Sequence, residues 1–209
     1  MYKVLIADDH PLFRNALSQV LSGQLTMQVA ESKDFASTIA ALEADPDIDL
    51  VFLDLNMPGN NGLASISAIR VQFPNTLIIV VSAEEQESVI TKCVQLGASA
   101  FIPKSLDLNE MCEAVNHVLE GQQWLPKDIQ LNPNAGSGIA SIEKLEQLTP
   151  HQLKVLALIA DGLLNKQIAY ELSISESTVK QHASAVLKKL GVYNRTQAGI
   201  IYQQAIHID

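Results

Sequence analysis

Over its first 120 residues the chain alternates five times between a short apolar run and a longer amphipathic segment, and this alternation constrains the fold most. The central runs lack polar alternation, which is typical of strands buried on both faces of a parallel sheet. The predicted strands span residues 3–7, 26–30, 50–54, 77–82 and 100–102. The predicted helices span 11–23, 34–44, 62–72, 84–96 and 108–120, with Gly23, Gly97 and Gly121 at three of the C-terminal stops. Five such repeats predict an α/β fold with a doubly wound, five-stranded parallel sheet over residues 1–121.

The alternation stops after residue 121. Prolines and a run of turn-forming residues predict a linker over 122–144, with a short helix over 141–147. Beyond it we expect no strands and four helices, at 148–161, 165–172, 177–190 and 195–206. Residues 145–209 therefore predict a second, all-α domain.

The charge is divided unevenly between the two parts. Taken whole, 14 Lys and Arg against 23 Asp and Glu give a net charge of −9, which speaks against a nucleic-acid partner. However, residues 1–121 hold six basic and sixteen acidic residues, whereas residues 122–209 hold eight and seven. Within 147–208 there are six basic residues and three acidic ones. The acidity belongs to the first domain, so the second remains a candidate for binding DNA.

Composition excludes several other classes of protein. The longest aliphatic runs are far shorter than the ~20 residues of a membrane helix, and the apolar start of the chain is too short for a signal peptide. Cys93 and Cys112 stand alone in predicted helices, so we expect buried thiols and neither a disulfide nor a zinc site. His10 and His117 are likewise expected to have no functional role. The chain is predicted to be soluble and cytoplasmic.

The carboxyl ends of the predicted strands carry a distinctive set of side chains. Ligands of an open α/β sheet bind outside these ends, where strand one is followed by Asp8 and Asp9 and strand three ends in Asp54. Three carboxylates at one edge repel each other unless a cation lies among them, and their hard oxygen atoms suit Mg²⁺. Ser82 and Lys104, at the ends of strands four and five, would hold an anion beside that metal. A phosphoryl group is the expected anion, with Asp54 as the nucleophile that attacks phosphorus in line.

This set resembles the receiver domain of bacterial two-component response regulators. The resemblance covers about residues 1–121 and rests on Asp8-Asp9, Asp54 followed by Met57-Pro58-Gly59 and Gly62, Ser82-Ala83, and Phe101 three positions before Lys104. It implies a flavodoxin-like fold and phosphorylation of Asp54 by a partner histidine kinase or a small phosphodonor. It also implies Mg²⁺ held by Asp9, Asp54 and the backbone carbonyl of Asn56, with Asp8 acting through water. Ser82 and Phe101 would form a switch pair, the hydroxyl moving to the phosphoryl oxygen and the ring turning inward behind it.

The second domain contains a candidate helix-turn-helix. Two predicted helices, 165–172 and 177–190, flank a short turn, and the second is free to enter a major groove. Five of its apolar residues recur at helical spacing and predict a buried face: Val179, Ala183, Val186, Leu187 and Leu190. The opposite, polar face is predicted to carry Lys180, Gln181, Ser184 and Lys188.

About fifty residues from position 148 resemble the LuxR/NarL-type DNA-binding domain. The resemblance rests on Leu148-Thr149-Pro150, Asn165-Lys166-Gln167-Ile168-Ala169, Thr178-Val179-Lys180-Gln181-His182, Leu187-Lys188-Lys189-Leu190-Gly191-Val192 and Asn194-Arg195-Thr196-Gln197-Ala198. It implies a four-helix domain with base-edge contacts from Lys180, Gln181 and Ser184. It also implies DNA-backbone contacts from the following residues: Lys166, Thr178, Lys188 and Arg195. His151-Gln152 and Ala185 depart from the family pattern, and Ala185 removes one base contact.

The sequence thus predicts a response regulator whose phosphorylation controls DNA binding and transcription. We expect no enzyme activity beyond phosphoryl transfer to and from its own aspartate. The expected partners are a sensor histidine kinase, double-stranded DNA, a second copy of the chain at least when phosphorylated, and RNA polymerase as a candidate; no membrane partner is expected. Phosphorylation would either release the DNA-binding domain from the receiver or promote dimerisation. One alternative stays open, a constitutive DNA-binding regulator whose receiver serves only as a dimerisation module; a phosphatase is disfavoured, because it would need an acid/base Asp where Asn56 stands.

Overall fold

The structure, a computed structural model, describes residues 2–129 and 144–206. Its first part contains five parallel strands in the order β2-β1-β3-β4-β5, namely β1 (Lys3–Ala7), β2 (Gln28–Ser32), β3 (Leu50–Asp54), β4 (Leu77–Ser82) and β5 (Ala100–Pro103). The helices of this part are α1 (Pro11–Gln24), α2 (Phe35–Ala44), α3 (Leu63–Gln72), α4 (Glu87–Gln95) and α5 (Leu108–Leu119). Most of the predicted linker lies outside the described residues. Of the helix predicted over 141–147, residues 144–146 are described and form a helical turn.

Each face of the sheet has its own hydrophobic core, because successive side chains of a strand point to opposite faces. One core joins the strands to α1 and α5 and includes Ile6, Phe52, Ile79, Leu17 and Val115. The other joins them to α2, α3 and α4 and includes Leu5, Val51, Val80, Leu42, Ile66 and Ile90. The predicted doubly wound, five-stranded parallel sheet is therefore confirmed.

Several predicted boundaries were wrong, among them the following three. The second strand begins two residues later than predicted, because Thr26 has a φ of 50°, a left-handed backbone that cannot continue a strand. Helix α4 begins at Glu87 and not at Glu84, since the backbone N–H of Glu84 donates to the Ser82 hydroxyl and belongs to the preceding loop. Gly23 lies within α1, which continues to Gln24.

The second part of the chain is a four-helix domain, as predicted. Its helices are α6 (Pro150–Ala160), α7 (Asn165–Leu172), α8 (Glu176–Leu190) and α9 (Arg195–Ile206). Thr149 caps α6 by accepting the backbone N–H of Gln152, whose side chain in turn accepts the N–H of Thr149. The predicted apolar face of α8 is buried against its neighbours, which confirms Val179, Ala183, Val186, Leu187 and Leu190 as core residues.

The four-helix domain packs directly against the sheet domain. Leu164, which precedes α7, is buried and joins the core formed with α1 and α5. Gly162 has a φ of +83°, and a Cβ built on it would lie 2.6 Å from the backbone carbonyl carbon of Glu120. Only glycine permits this approach of the two backbones.

Two further sequence expectations concern the interior and the membrane. Cys93 and Cys112 are buried free thiols, and burial raises the pKa of Cys93 to about 12. Within residues 2–129 and 144–206, no helix is both long and apolar enough to cross a membrane.

We predict that Gly162→Ala separates the two domains, because the added methyl group must displace the backbone of Glu120. Gly191→Ala is the matched control, since Gly191 also has a left-handed backbone (φ +68°), but a Cβ added to it would have no neighbouring atom within 4 Å. Small-angle X-ray scattering should show a larger radius of gyration for Gly162→Ala only. An equal change in both variants would mean that backbone strain, and not the domain contact, explains the effect.

Candidate functional site

The candidate phosphorylation site lies where the carboxyl ends of β1 and β3 meet. Ala7 pairs with Leu53 in the parallel ladder, so Asp8 and Asp54 extend from the same edge of the sheet. Both are 1% exposed. Lys104 follows β5 and reaches across β4, placing its Nζ 2.7 Å from Asp8 Oδ2 and 2.8 Å from Asp54 Oδ2. The three predicted residues are thus brought together as expected.

The Lys104 ammonium is the charge that keeps two buried carboxylates together. Burial on its own lowers the pKa of Lys104, but the hydrogen bonds to Asp54 and Asp8 outweigh it, so that the pKa is raised. Lys104 therefore stays protonated, and it compensates the repulsion between the two acidic groups.

The loop after β3 fixes the orientation of Asp54. Asp54 Oδ1 accepts the backbone N–H of Asn56 at 3.0 Å, while Oδ2 faces Lys104. The side chain of Asn60 donates to the backbone carbonyl of Asp54 at 2.6 Å, and Met57 is buried beneath the loop. The run from Met57 to Gly59 therefore forms a turn that holds the carboxylate in place.

A divalent cation fits the carboxylate cluster. Asp8, Asp9, His10 and Asp54 each offer a ligand atom, and these atoms lie within 4.8 Å of one another. One oxygen of Asp9, Oδ1, is buried without a hydrogen bond. Carboxylate oxygens in this number suit Mg²⁺, which keeps several of its waters.

His10 is the site residue that the sequence analysis missed. Its Nδ1 lies 2.8 Å from Asp9 Oδ1, 3.2 Å from Asp8 Oδ1 and 3.8 Å from Asp54 Oδ2. His10 was expected to have no functional role, and its position is a finding of the structure: the backbone turns after Asp9 and brings the imidazole over the pocket. The direct succession of His10 after two acidic residues was the available signal.

The two predicted switch residues are Ser82 and Phe101. In this structure both are bonded to neighbouring backbone groups. Ser82 is 1% exposed, and its hydroxyl accepts the backbone N–H of Glu84 at 3.1 Å. Phe101 is fully buried in the core beside α2, α3 and α4, and its backbone N–H donates to the Trp124 carbonyl. The ring is already inward in this structure, and the switch itself stays a prediction.

Three of the seven predicted DNA contacts face the amino edge of the sheet, opposite the acidic pocket. Lys180 Nζ donates to the backbone carbonyl of Pro46 at 3.0 Å and to Asp47 Oδ1 at 2.8 Å. Lys166 Nζ lies 3.1 Å from Asp49 Oδ2. Ser184 Oγ on α8 lies 3.5 Å from Asn75 Nδ2.

The remaining predicted DNA contacts are placed differently. Gln181 and Lys188 are exposed on α8, and Thr178 hydrogen-bonds the Ser175 hydroxyl. Arg195 is buried and donates to the backbone carbonyl of Leu163, and burial lowers its pKa to about 10. In this arrangement the guanidinium is therefore bonded inside the protein and is not exposed to a DNA phosphate.

The Lys180 ion pair is partly shielded from water. Burial on its own lowers the pKa of Lys180, but the hydrogen bond to Asp47 and the charges of Asp47 and Glu176 outweigh it, so that the pKa is raised. The ammonium is thus held as a cation chiefly by an acidic group of the sheet domain.

Helix α9 forms the second half of the domain contact. Asn194 Nδ2 donates to the Gly97 carbonyl at 2.9 Å, and Gln197 Nε2 donates to the Val94 carbonyl at 3.2 Å. The hydroxyl of Thr196 lies 3.3 Å from that of Ser99, directly before β5. The four-helix domain therefore touches the amino ends of β3, β4 and β5.

Both parts of the chain match described families. The profile of the response regulator receiver domain matches residues 4–116. The profile of the bacterial regulatory proteins of the luxR family matches residues 146–202.

Full-length relatives have the same organisation. The glycerol metabolism activator of Pseudomonas putida is 42% identical over 207 residues, covering 95% of this chain and 93% of the relative. The nitrate/nitrite response regulator NarL of Escherichia coli K12 is 32% identical, covering 97% and 96%. The structure of RcsB from Salmonella enterica serovar Typhimurium, bound to promoter DNA in the presence of the phosphomimetic BeF₃⁻, is 26% identical, with a TM-score of 0.56 over 98% of both chains.

The buried carboxylates beneath one lysine, the helix-turn-helix, and the matches over both domains lead to one conclusion: the chain belongs to the two-component response regulators that join a receiver domain to a luxR-type DNA-binding domain.

Proposed function

We propose that phosphorylation of Asp54 releases the DNA-binding domain from the amino edge of the receiver and so controls transcription. The observation that carries this proposal is the pairing of two predicted DNA-binding lysines, Lys166 and Lys180, with the receiver carboxylates Asp49 and Asp47. An ammonium held by a carboxylate is not available to a DNA phosphate. The closed arrangement is therefore an inactive one.

The chemistry begins at the Asp54 carboxylate. One of its oxygens attacks the phosphorus of a phosphohistidine on the partner kinase, or of a small acyl phosphate. The P–N or P–O bond breaks, its electron pair leaves with the imidazole or the carboxylate, and an aspartyl phosphate forms. Lys104, already 2.8 Å from Asp54 Oδ2, would then compensate the added negative charge.

The residues that would hold Mg²⁺ are Asp9, Asp54 and the backbone carbonyl of Asn56, with Asp8 acting through water. The ion, when bound, supplies positive charge for the phosphoryl oxygens. Hydrolysis of the aspartyl phosphate by the same site would end the signal, and no external substrate is required.

Strand β5 connects the site to the domain contact. Lys104 follows its carboxyl end, whereas Ser99, which contacts Thr196 of the DNA-binding domain, precedes its amino end. The four residues between them span only ~13 Å in a strand. A shift of Lys104 and Ser82 towards a phosphoryl group would therefore act on the surface that α9 occupies.

Two expectations about partners accompany this proposal. The structure of RcsB with promoter DNA and BeF₃⁻ supports DNA as the partner of the open form of this chain. We expect a phosphorylated homodimer, in which two weakly basic domains bind adjacent half-sites, and RNA polymerase as a further partner. A constitutive regulator is not favoured, because it would have no use for a complete phosphorylation pocket.

We predict that Asp54→Asn abolishes phosphorylation, because an amide nitrogen or oxygen cannot replace the carboxylate nucleophile. The protein is incubated with acetyl phosphate and Mg²⁺, and the phosphoprotein is measured by intact mass. Asp128→Asn removes one exposed carboxylate from the segment that follows the receiver domain and should behave as the wild type. Normal loading of Asp54→Asn would contradict the site assignment.

We also predict that Asp47→Asn strengthens DNA binding by the unphosphorylated protein by about 1.4- to fivefold. Removing a surface ion pair forfeits about 0.2–1 kcal/mol of the closed form, and that loss shifts the equilibrium towards the open one. Affinity is measured by fluorescence anisotropy at fixed salt, on a duplex carrying the operator found by footprinting the phosphorylated protein.

Asp128→Asn is the matched control here too, since it changes the net charge equally but lies outside the domain contact. Equal gains in both variants would show that net charge, and not the release of Lys180, explains the effect.

A further inference from the structure

The position of His10 goes beyond what phosphoryl transfer to Asp54 requires. The Asp8, Asp9 and Asp54 carboxylates, with Lys104, already provide the acidic pocket and its cation. His10 adds an imidazole nitrogen to the same cluster, on a side chain whose ring is 64% exposed and thus accessible from solvent.

The distances around His10 Nδ1 are those of ligands that share one ion. At metal–ligand bond lengths of about 2.1 Å, neighbouring ligands of an octahedral ion lie about 3.0 Å apart and opposite ones about 4.2 Å apart. Nδ1 lies 2.8 Å from Asp9 Oδ1, 3.2 Å from Asp8 Oδ1 and 3.8 Å from Asp54 Oδ2. All three distances fall in or next to this range.

Nδ1 of His10 lies among several charged groups, within hydrogen-bond distance of Asp8 Oδ1 at 3.2 Å and of the Lys104 ammonium at 3.3 Å, and closest of all to Asp9. Asp9 Oδ1 is buried and makes no hydrogen bond, although Nδ1 of His10 is only 2.8 Å away. Two electron-pair donors at this separation are placed as adjacent ligands of a cation would be.

We propose that His10 Nδ1 is a direct metal ligand, which makes this pocket select divalent ions that accept nitrogen, such as Mn²⁺, Co²⁺ and Ni²⁺, over Mg²⁺. Imidazole suits these ions, whereas Mg²⁺ prefers oxygen ligands alone. The inference rests on the proposed function, because it uses the same carboxylates. Its consequence is that the cation bound by the receiver would depend on which divalent ions are available.

The test is pulsed electron paramagnetic resonance on the full-length, unphosphorylated protein loaded with Mn²⁺. A directly bound imidazole produces ¹⁴N modulation of the Mn²⁺ echo. We expect this signal in the wild type and its loss in His10→Asn, with Mn²⁺ still bound by the carboxylates. His117→Asn, which changes an exposed histidine on α5, should retain the signal. Absence of ¹⁴N modulation from the Mn²⁺-loaded wild type, or its persistence in His10→Asn, would overturn the proposal.

Isothermal titration calorimetry with Ni²⁺ and Mg²⁺ provides the second measurement. His10→Asn should weaken Ni²⁺ binding by about tenfold or more, because even an indirect metal partner contributes about 10- to 100-fold, and should leave Mg²⁺ affinity unchanged. An equal loss for both ions would contradict selection by nitrogen. Asp9→Asn tests the carboxylate metal site separately from the His10 ligand. Unchanged Mg²⁺ affinity in that variant would contradict the metal site itself, whatever the behaviour of His10.

Discussion

Carboxylates that are held close together need a cation among them, and this requirement applies at both edges of the receiver sheet. At the carboxyl edge, Asp8 and Asp54 are buried side by side, and Lys104 of the same domain compensates them. At the amino edge, Asp47 and Asp49 are met by lysines that belong to the other domain. The first arrangement forms the candidate phosphorylation site, and the second pairs the four-helix domain with the receiver.

A parallel sheet makes these two edges distinct and also connects them. All strands begin at one edge and end at the other. A structural shift at the carboxyl ends of β4 and β5 can therefore be transmitted to the amino edge along a short, rigid strand. The two ion pairs at the far edge are weak, since surface ion pairs are worth about 0–1 kcal/mol, whereas the hydrogen bonds of Asn194 and Thr196 are buried. Loss of either ion pair therefore costs the closed form only a modest free energy.

The phosphorylation pocket could be predicted from the sequence because its residues follow apolar runs, and the ends of parallel strands must meet. The domain contact could not, because Asp47 and Lys180 lie far apart along the chain and carry no local pattern. The acidity of the first domain is divided between the pocket and the surface that α8 contacts, where Asp47 pairs with Lys180. His10 was missed for a related reason: a single histidine has no periodicity, and only the turn after Asp9 reveals its position. The start of β2 was misplaced because an edge strand lacks a continuous apolar run.

The central claim, that phosphorylation separates Lys180 from the receiver, can be tested by zero-length carbodiimide cross-linking with mass-spectrometric mapping. Lys180 Nζ lies 2.8 Å from Asp47, and Lys3 Nζ lies 2.8 Å from Asp45 within the receiver, which provides an internal reference. The account predicts that the Lys180–Asp47 cross-link forms in the unphosphorylated protein and is lost after loading with BeF₃⁻ and Mg²⁺, while the Lys3–Asp45 cross-link persists. A Lys180–Asp47 cross-link that survives full loading, in protein whose DNA affinity has risen, would contradict it.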